Sequence, residues 1–280
     1  MTSGRLKNMV NLSKNNRTYV CLYLLLAAAL FITGCSQSPD NPKPIEPHSD
    51  SIVVATMGAS LMFPQNGWVE KACADLGLVC LNKAVSGALP IDFARKLWKG
   101  TYATEEELAS IDVVLIQFAN NVNVYAADSL RFPTADEYTA SYTDTTEEPF
   151  AEYKRAQQMD YILKKWTEIC LKHNKPANII LVTHWHDART IYGASVRKLA
   201  QRWDADLCEL DKNIGFTKDV PLPDGRQHSL LYAIDTETID SIEYGWHPLR
   251  GTDGEYIQSV MANILKDKLQ MYIAEHDIHP

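Results

Sequence analysis

From Ile52 onward, short apolar runs of strand length alternate with longer stretches whose apolar positions recur at helical spacing. The runs at 52–56, 78–82, 112–118, 178–183 and 205–210 are mostly apolar throughout, as strands buried on both faces are. The stretches 67–76, 91–98, 151–173, 190–203 and 253 to about 275 predict helices, the last with Tyr256, Ile257, Val260, Met261, Ile264, Leu265, Leu269 and Tyr272 at helical spacing. This alternation predicts an α/β domain: a three-layer sandwich around a five-stranded parallel sheet. Two segments fit no element, 120–149 (rich in Thr, Asp and Tyr) and 211–246. Both are longer than ordinary connections and both leave the carboxyl ends of strands, where parallel sheets hold their ligands.

The chain before Ile52 follows different rules. Arg5, Lys7, Lys14 and Arg17 precede the uncharged run Tyr19 to Ile32, which at 14 residues is shorter than a bilayer span of ~20. A basic start, an apolar centre and a small residue before Cys35 predict a signal peptide over residues 1–34. Ile32-Thr33-Gly34-Cys35 resembles the bacterial lipoprotein box, which implies a mature chain that begins at a lipid-modified Cys35. That would hold the protein on a membrane of the bacterial cell envelope, facing the periplasm or the surface. Residues 35–51 carry four prolines and few apolar side chains, the composition of an extended tether, so the folded domain is expected over 52–280.

Charge narrows the partners. Lys plus Arg number 27 against 35 Asp plus Glu, a formal charge of −8 over 280 residues. Without the first 34 residues, 23 bases face 35 acids and the charge becomes −12, which argues against a nucleic-acid backbone as ligand. Cys73, Cys80, Cys170 and Cys208 remain in the expected domain. An exported protein can pair them, spacing leaves the pairing open, and Cys73 and Cys80 bracket a helix-to-strand turn.

Candidate chemistry sits at strand ends. Met57-Gly58-Ala59-Ser60-Leu61 puts a serine on the turn after the first strand, a place that suits a nucleophile but equally a helix cap. Asn82-Lys83-Ala84-Val85-Ser86-Gly87 follows the second strand, Gln117-Phe118-Ala119-Asn120-Asn121 ends the third, and Trp246-His247-Pro248 precedes the last helix. Together these four landmarks resemble the SGNH (GDSL-type) hydrolase superfamily across about residues 52 to 275. The resemblance implies a flavodoxin-like fold and ester hydrolysis with no cofactor. It places Ser60 as nucleophile, His247 as general base, and Gly87 and Asn121, with the Ser60 backbone, as oxyanion donors. An imidazole with an ordinary pKa near ~6.5 suits proton removal from a serine at neutral pH.

The match has gaps. Ala59 stands for the Asp of G-D-S, and Ala119 and Val122 stand for the Gly and Asp of G-x-N-D. The acid expected three residues before His247 is Tyr244, which leaves Glu243, Asp240, another acid, or a Ser-His dyad whose base is held by a backbone carbonyl. His184-Trp185-His186-Asp187 follows the fourth strand; His at i and i+2 beside an Asp suggest a metal, but no further ligand is evident elsewhere in the sequence, so no metal is expected. Trp185, His184 and Trp246 are instead candidate walls of a substrate pocket, or packing. The leading expectation is a lipid-anchored serine esterase that removes small acyl groups, acetyl above all, from a carbohydrate. The alternatives are acyl transfer, lipid-ester hydrolysis, or a glycan-binding lipoprotein that keeps the fold without catalysis.

Overall fold

A computed structural model describes residues 51–63, 66–118, 145–149 and 155–280. Five parallel strands form the central sheet: β1 (Val53–Gly58), β2 (Val79–Leu81), β3 (Ile111–Gln117), β4 (Ile179–Val182) and β5 (Asp206–Cys208). Their spatial order is β2-β1-β3-β4-β5, the doubly wound order of flavodoxin-like domains. All six residues of β1 and all four of β4 are buried, which is why these strands read as runs apolar almost throughout, with Thr56 the one polar residue among them. Burying each large aliphatic side chain here contributes about 1.5 to 3 kcal/mol.

The helices are α1 (Trp68–Asp75), α2 (Pro90–Lys99), α3 (Glu105–Ser110), α4 (Arg155–Lys172), α5 (Thr190–Trp203), α6 (Leu210–Asn213) and α7 (Glu255–Glu275). α1 packs on α7, and α2 packs on α4, which also touches α5. The stripe of α7 buries Ile257, Met261, Leu265, Leu269 and Tyr272, whereas Tyr256, expected inside, is 64% exposed. The short α3 was not expected. Its start is marked by a capping box in which Thr104 accepts the Glu107 N–H and Glu107 accepts the Thr104 N–H.

The segment 211–246, expected as loop, contains a second sheet, the antiparallel hairpin β6 (Thr236–Ile239) and β7 (Ile242–Gly245). Its two-residue turn, Asp240-Ser241, has both φ angles positive, at 50° and 67°, as the turn that matches strand twist requires. Cys73, Cys80, Cys170 and Cys208 are all free thiols, so the bridge allowed by spacing between Cys73 and Cys80 is not formed. Residues 1–34 and the tether up to residue 50 fall outside the described residues.

Candidate active site

The crevice of a doubly wound sheet opens where neighbouring connections leave in opposite directions, here between β1 and β3. Ser60 stands two residues beyond β1 at that point. Its turn is held by backbone bonds from Met62 N to Ala59 O (3.1 Å) and from Ala59 N to Gln117 O on β3 (3.2 Å). Around it, Asn82 Nδ2 donates to Met62 O at 2.7 Å, and Trp68 Nε1 donates to Leu61 O at 2.9 Å. Arg250 donates to Ser60 O at 2.7 Å and to Phe63 O at 3.1 Å, so the loop that carries His247 clamps the serine turn.

His247 reaches Ser60 across 187 positions of chain: its Nε2 lies 2.7 Å from Ser60 Oγ. Asp235 holds the other side of the ring, with Oδ2 2.8 Å and Oδ1 3.0 Å from Nδ1. An ionised carboxylate only accepts hydrogen bonds, so Nδ1 carries the ring proton and Nε2 accepts from the serine hydroxyl. Asp235 Oδ1 also accepts the His247 backbone N–H at 2.9 Å, fixing the ring and its main chain together. The hairpin creates this contact. Its pairing continues past the strands, with Trp246 N bonded to Asp235 O and Ile234 N to His247 O, both at 2.8 Å.

The carboxylate at the imidazole is therefore Asp235, not Glu243 or Asp240. Side chains alternate along β7, so Tyr244 turns inward, stacked on His186 with ring centroids 5.4 Å apart, and Glu243 faces solvent. Asp240 lies in the hairpin turn at the far end of the strands from His247. The pairing of β6 with β7 around a two-residue turn sets the register that brings 235 opposite 246, and the polar run Thr236-Glu237-Thr238 gives no clear strand alternation from which to read it.

Gly87 is exposed in the left-handed region (φ 75°), where glycine is favoured, and nothing lies within 4 Å of the place a Cβ would take. Its loop is tied to the end of β1 by the bond from Val85 N to Gly58 O at 2.9 Å. Asn121 lies outside the described residues. Trp185, His184 and Trp246 do not line an open pocket: they are 1%, 1% and 5% exposed. They pack beneath the imidazole, with the His184 ring stacked on Trp246 (5.0 Å, 15°) and Trp185 Nε1 donating to Trp246 O at 2.9 Å. They bury one another, with Phe216 against Trp185 and Arg189 over the Trp246 ring, contacts between distant segments that local sequence does not reveal.

Glu237, missed in the sequence, completes a buried trio of donors with His184 and His186, all within 4.8 Å of one another. A cation fits this trio poorly. Both Glu237 oxygens are engaged, one by His186 Nε2 at 2.7 Å and one by the Arg189 guanidinium at 2.6 Å, which already supplies the positive charge. His184 Nδ1 accepts the His186 N–H at 3.2 Å. Burial lowers the pKa of both imidazoles, that of His184 strongly, so both are held neutral.

A doubly wound α/β domain with serine, imidazole and carboxylate in one hydrogen-bonded line at its switch point has the architecture that nucleophilic serine catalysis requires. The chain belongs to the family described as Domain of unknown function (DUF5040), which matches residues 51–273. No curated protein matches it. Among solved structures it is similar to a Slackia heliotrinireducens protein provisionally described as an SGNH hydrolase (13% identity, 79% of this chain and 100% of that one, TM-score 0.47). It is also similar to the lipase Lip_vut3 from a goat rumen metagenome (13%, 78% and 97%, TM-score 0.46). A third is a family 2 carbohydrate esterase of Corynascus thermopiles (11%, 82% and 69%, TM-score 0.44).

Proposed function

We propose that the protein is a serine ester hydrolase that works through Ser60, His247 and Asp235. The observation that carries this reading is the unbroken chain from Ser60 Oγ through the imidazole to the carboxylate, at 2.7 Å and 2.8 Å. Ser60 attacks the acyl carbonyl while His247 Nε2 takes its proton. Asp235 keeps the ring in the reactive tautomer and stabilises the imidazolium that forms. The proton passes to the departing alcohol, and water activated by the same nitrogen then releases the acyl group from Ser60. In this proposal the backbone N–H groups of Ser60 and Gly87, with the Asn121 amide, receive the negative charge on the carbonyl oxygen.

The substrate we propose is a small acyl ester, acetyl above all, on a carbohydrate. Supporting it, Tyr256 is 64% exposed and packs against Tyr232, with ring centroids 5.4 Å apart. Tyr232 O accepts the N–H of Leu249, two residues beyond His247, so this aromatic face borders the catalytic loop and offers a surface on which a sugar ring can stack. A lipid on Cys35 would keep the enzyme on the bacterial envelope, near acylated glycans. The test is hydrolysis of p-nitrophenyl acetate by wild type and Ser60→Ala, with and without a fluorophosphonate, followed by release of acetate from acetylated oligosaccharides. Turnover that survives in Ser60→Ala overturns the mechanism. Equal turnover of long-chain esters overturns the small-acyl reading.

A further inference from the structure

Beneath the imidazole lies an ion pair that the chemistry just described does not use. Glu237 and Arg189 have side chains at 0% exposure and are joined at 2.6 Å. The guanidinium carbon lies 4.4 Å from the centre of the Trp246 ring, within cation–π range. The His184 ring stacks on that same indole, and the indole meets the His247 ring edge-on at 5.3 Å. A fully buried ion pair seldom repays its desolvation in stability, so its retention directly behind a reactive group asks for another explanation.

We infer that Arg189 and Glu237 are positioning residues for the base: Arg189 clamps the Trp246 indole on which His247 rests, and Glu237 cancels the arginine's charge so that the imidazole can still accept a proton. The inference rests on His247 being the base. Each part has a visible cause. Trp246 is gripped through its ring by Arg189 and through its carbonyl by Trp185 Nε1, so the residue next to His247 has little freedom to shift. Arg189 cannot shed its proton, and an uncancelled guanidinium at this depth would oppose the imidazolium that forms during attack. His186, which is kept neutral, shares Glu237 with Arg189 and holds the carboxylate in place. Among the described residues, the other charged or titratable groups around His247 are Asp235 on Nδ1, Arg250 on the Ser60 carbonyl, and neutral His184 behind the indole.

The test compares Glu237→Gln with the double variant Arg189→Met/Glu237→Gln, using an acetyl ester from pH 5 to 9. In Glu237→Gln the arginine charge is left uncancelled, so the acidic limb of kcat/KM should move down by roughly one pH unit. In the neutral double variant the limb should return to the wild-type position. There kcat should stay about 10- to 100-fold low with KM within twofold, because the indole has lost its clamp while substrate contacts are intact. A merely structural role predicts lost activity with no movement of the limb. An unmoved limb in folded Glu237→Gln overturns the inference, as does wild-type kcat in the double variant, which remains decisive if the single variant fails to fold. The same shift should appear when the His247 ring is titrated by NMR in Ser60→Ala protein with Glu237→Gln added. That readout needs no turnover, so failure of the esterase reading and failure of this one are told apart.

Discussion

Replacing Asp235 by Asn removes one charge and almost no volume, and so isolates what the carboxylate does for His247. The carboxylate touches Nδ1 at 2.8 and 3.0 Å, which puts its charge about 4 Å from the centre of the imidazolium that forms when Ser60 loses its proton. Two opposite charges at that distance attract by about 1 kcal/mol in bulk water and about 4 kcal/mol near a protein surface. The Asp235 side chain is 49% exposed, so solvent screens the pair and a value between those limits applies, about 2.5 kcal/mol. Loss of the charge alone corresponds to roughly 70-fold in kcat/KM, carried by kcat because the imidazolium exists only once reaction has begun. An Asn amide that donates to Nδ1 adds the cost of the unreactive tautomer, so the loss is at least that large. The acidic limb of the profile should also move to lower pH, since the protonated ring has lost its counter-charge. The assay is p-nitrophenyl acetate hydrolysis from pH 5 to 9, with Glu243→Gln in parallel and expected within twofold of wild type. If Asp235→Asn stays within twofold while Ser60→Ala is inactive, the carboxylate is dispensable and the centre is a Ser-His dyad. If Glu243→Gln is the more damaging change, the hairpin register described above is wrong.

Ser60→Ala and His247→Ala should each remove nearly all esterase activity, and the double variant should be no worse than either, as kcat/KM of the three proteins will show. Gly245→Ala should lower Tm by roughly 5 to 10 °C in calorimetry, because a Cβ there would sit 2.3 Å from Ser229 O and 2.5 Å from Ala233 Cβ, and backbone cannot step aside cheaply. Burial pushes the Asp160 carboxyl up to about 6, although Trp203 Nε1 donates to it at 2.6 Å. A raised carboxyl pKa costs nothing well below the unfolded value near ~3.9; the cost grows as pH rises from there to about 6 and is complete above it. Asp160→Asn should therefore gain about 2 to 3 kcal/mol in urea unfolding at pH 7 and little at pH 4. Cys35→Ser expressed in a bacterial host should move from the membrane to the soluble fraction on cell fractionation, and continued membrane partition would remove the lipid anchor from the proposal.

The sheet was legible because its strands are buried on both faces, so the apolar runs around Val53–Gly58 and Ile179–Val182 announce themselves without knowledge of any partner. Ser60 and His247 were legible as candidates because the four motifs at the strand ends and before the last helix resemble those of SGNH hydrolases; periodicity alone did not single them out. Three things were decided only by tertiary structure. Asp235 became the imidazole's partner through hairpin register, a property of two strands and a turn taken together; shifting the pairing by one residue would put a different side chain there. His184, Trp185 and Trp246 look like pocket walls in the sequence and are packing in the fold, because exposure depends on what lies on top, and here that is one another together with Phe216 and Arg189. The pairing of Glu237 with Arg189 joins residues 48 positions apart, and nothing local to either predicts it. Local sequence encodes backbone preference and burial periodicity, whereas the site is made of contacts between segments that each satisfy those preferences separately, and only their packing selects which side chains meet.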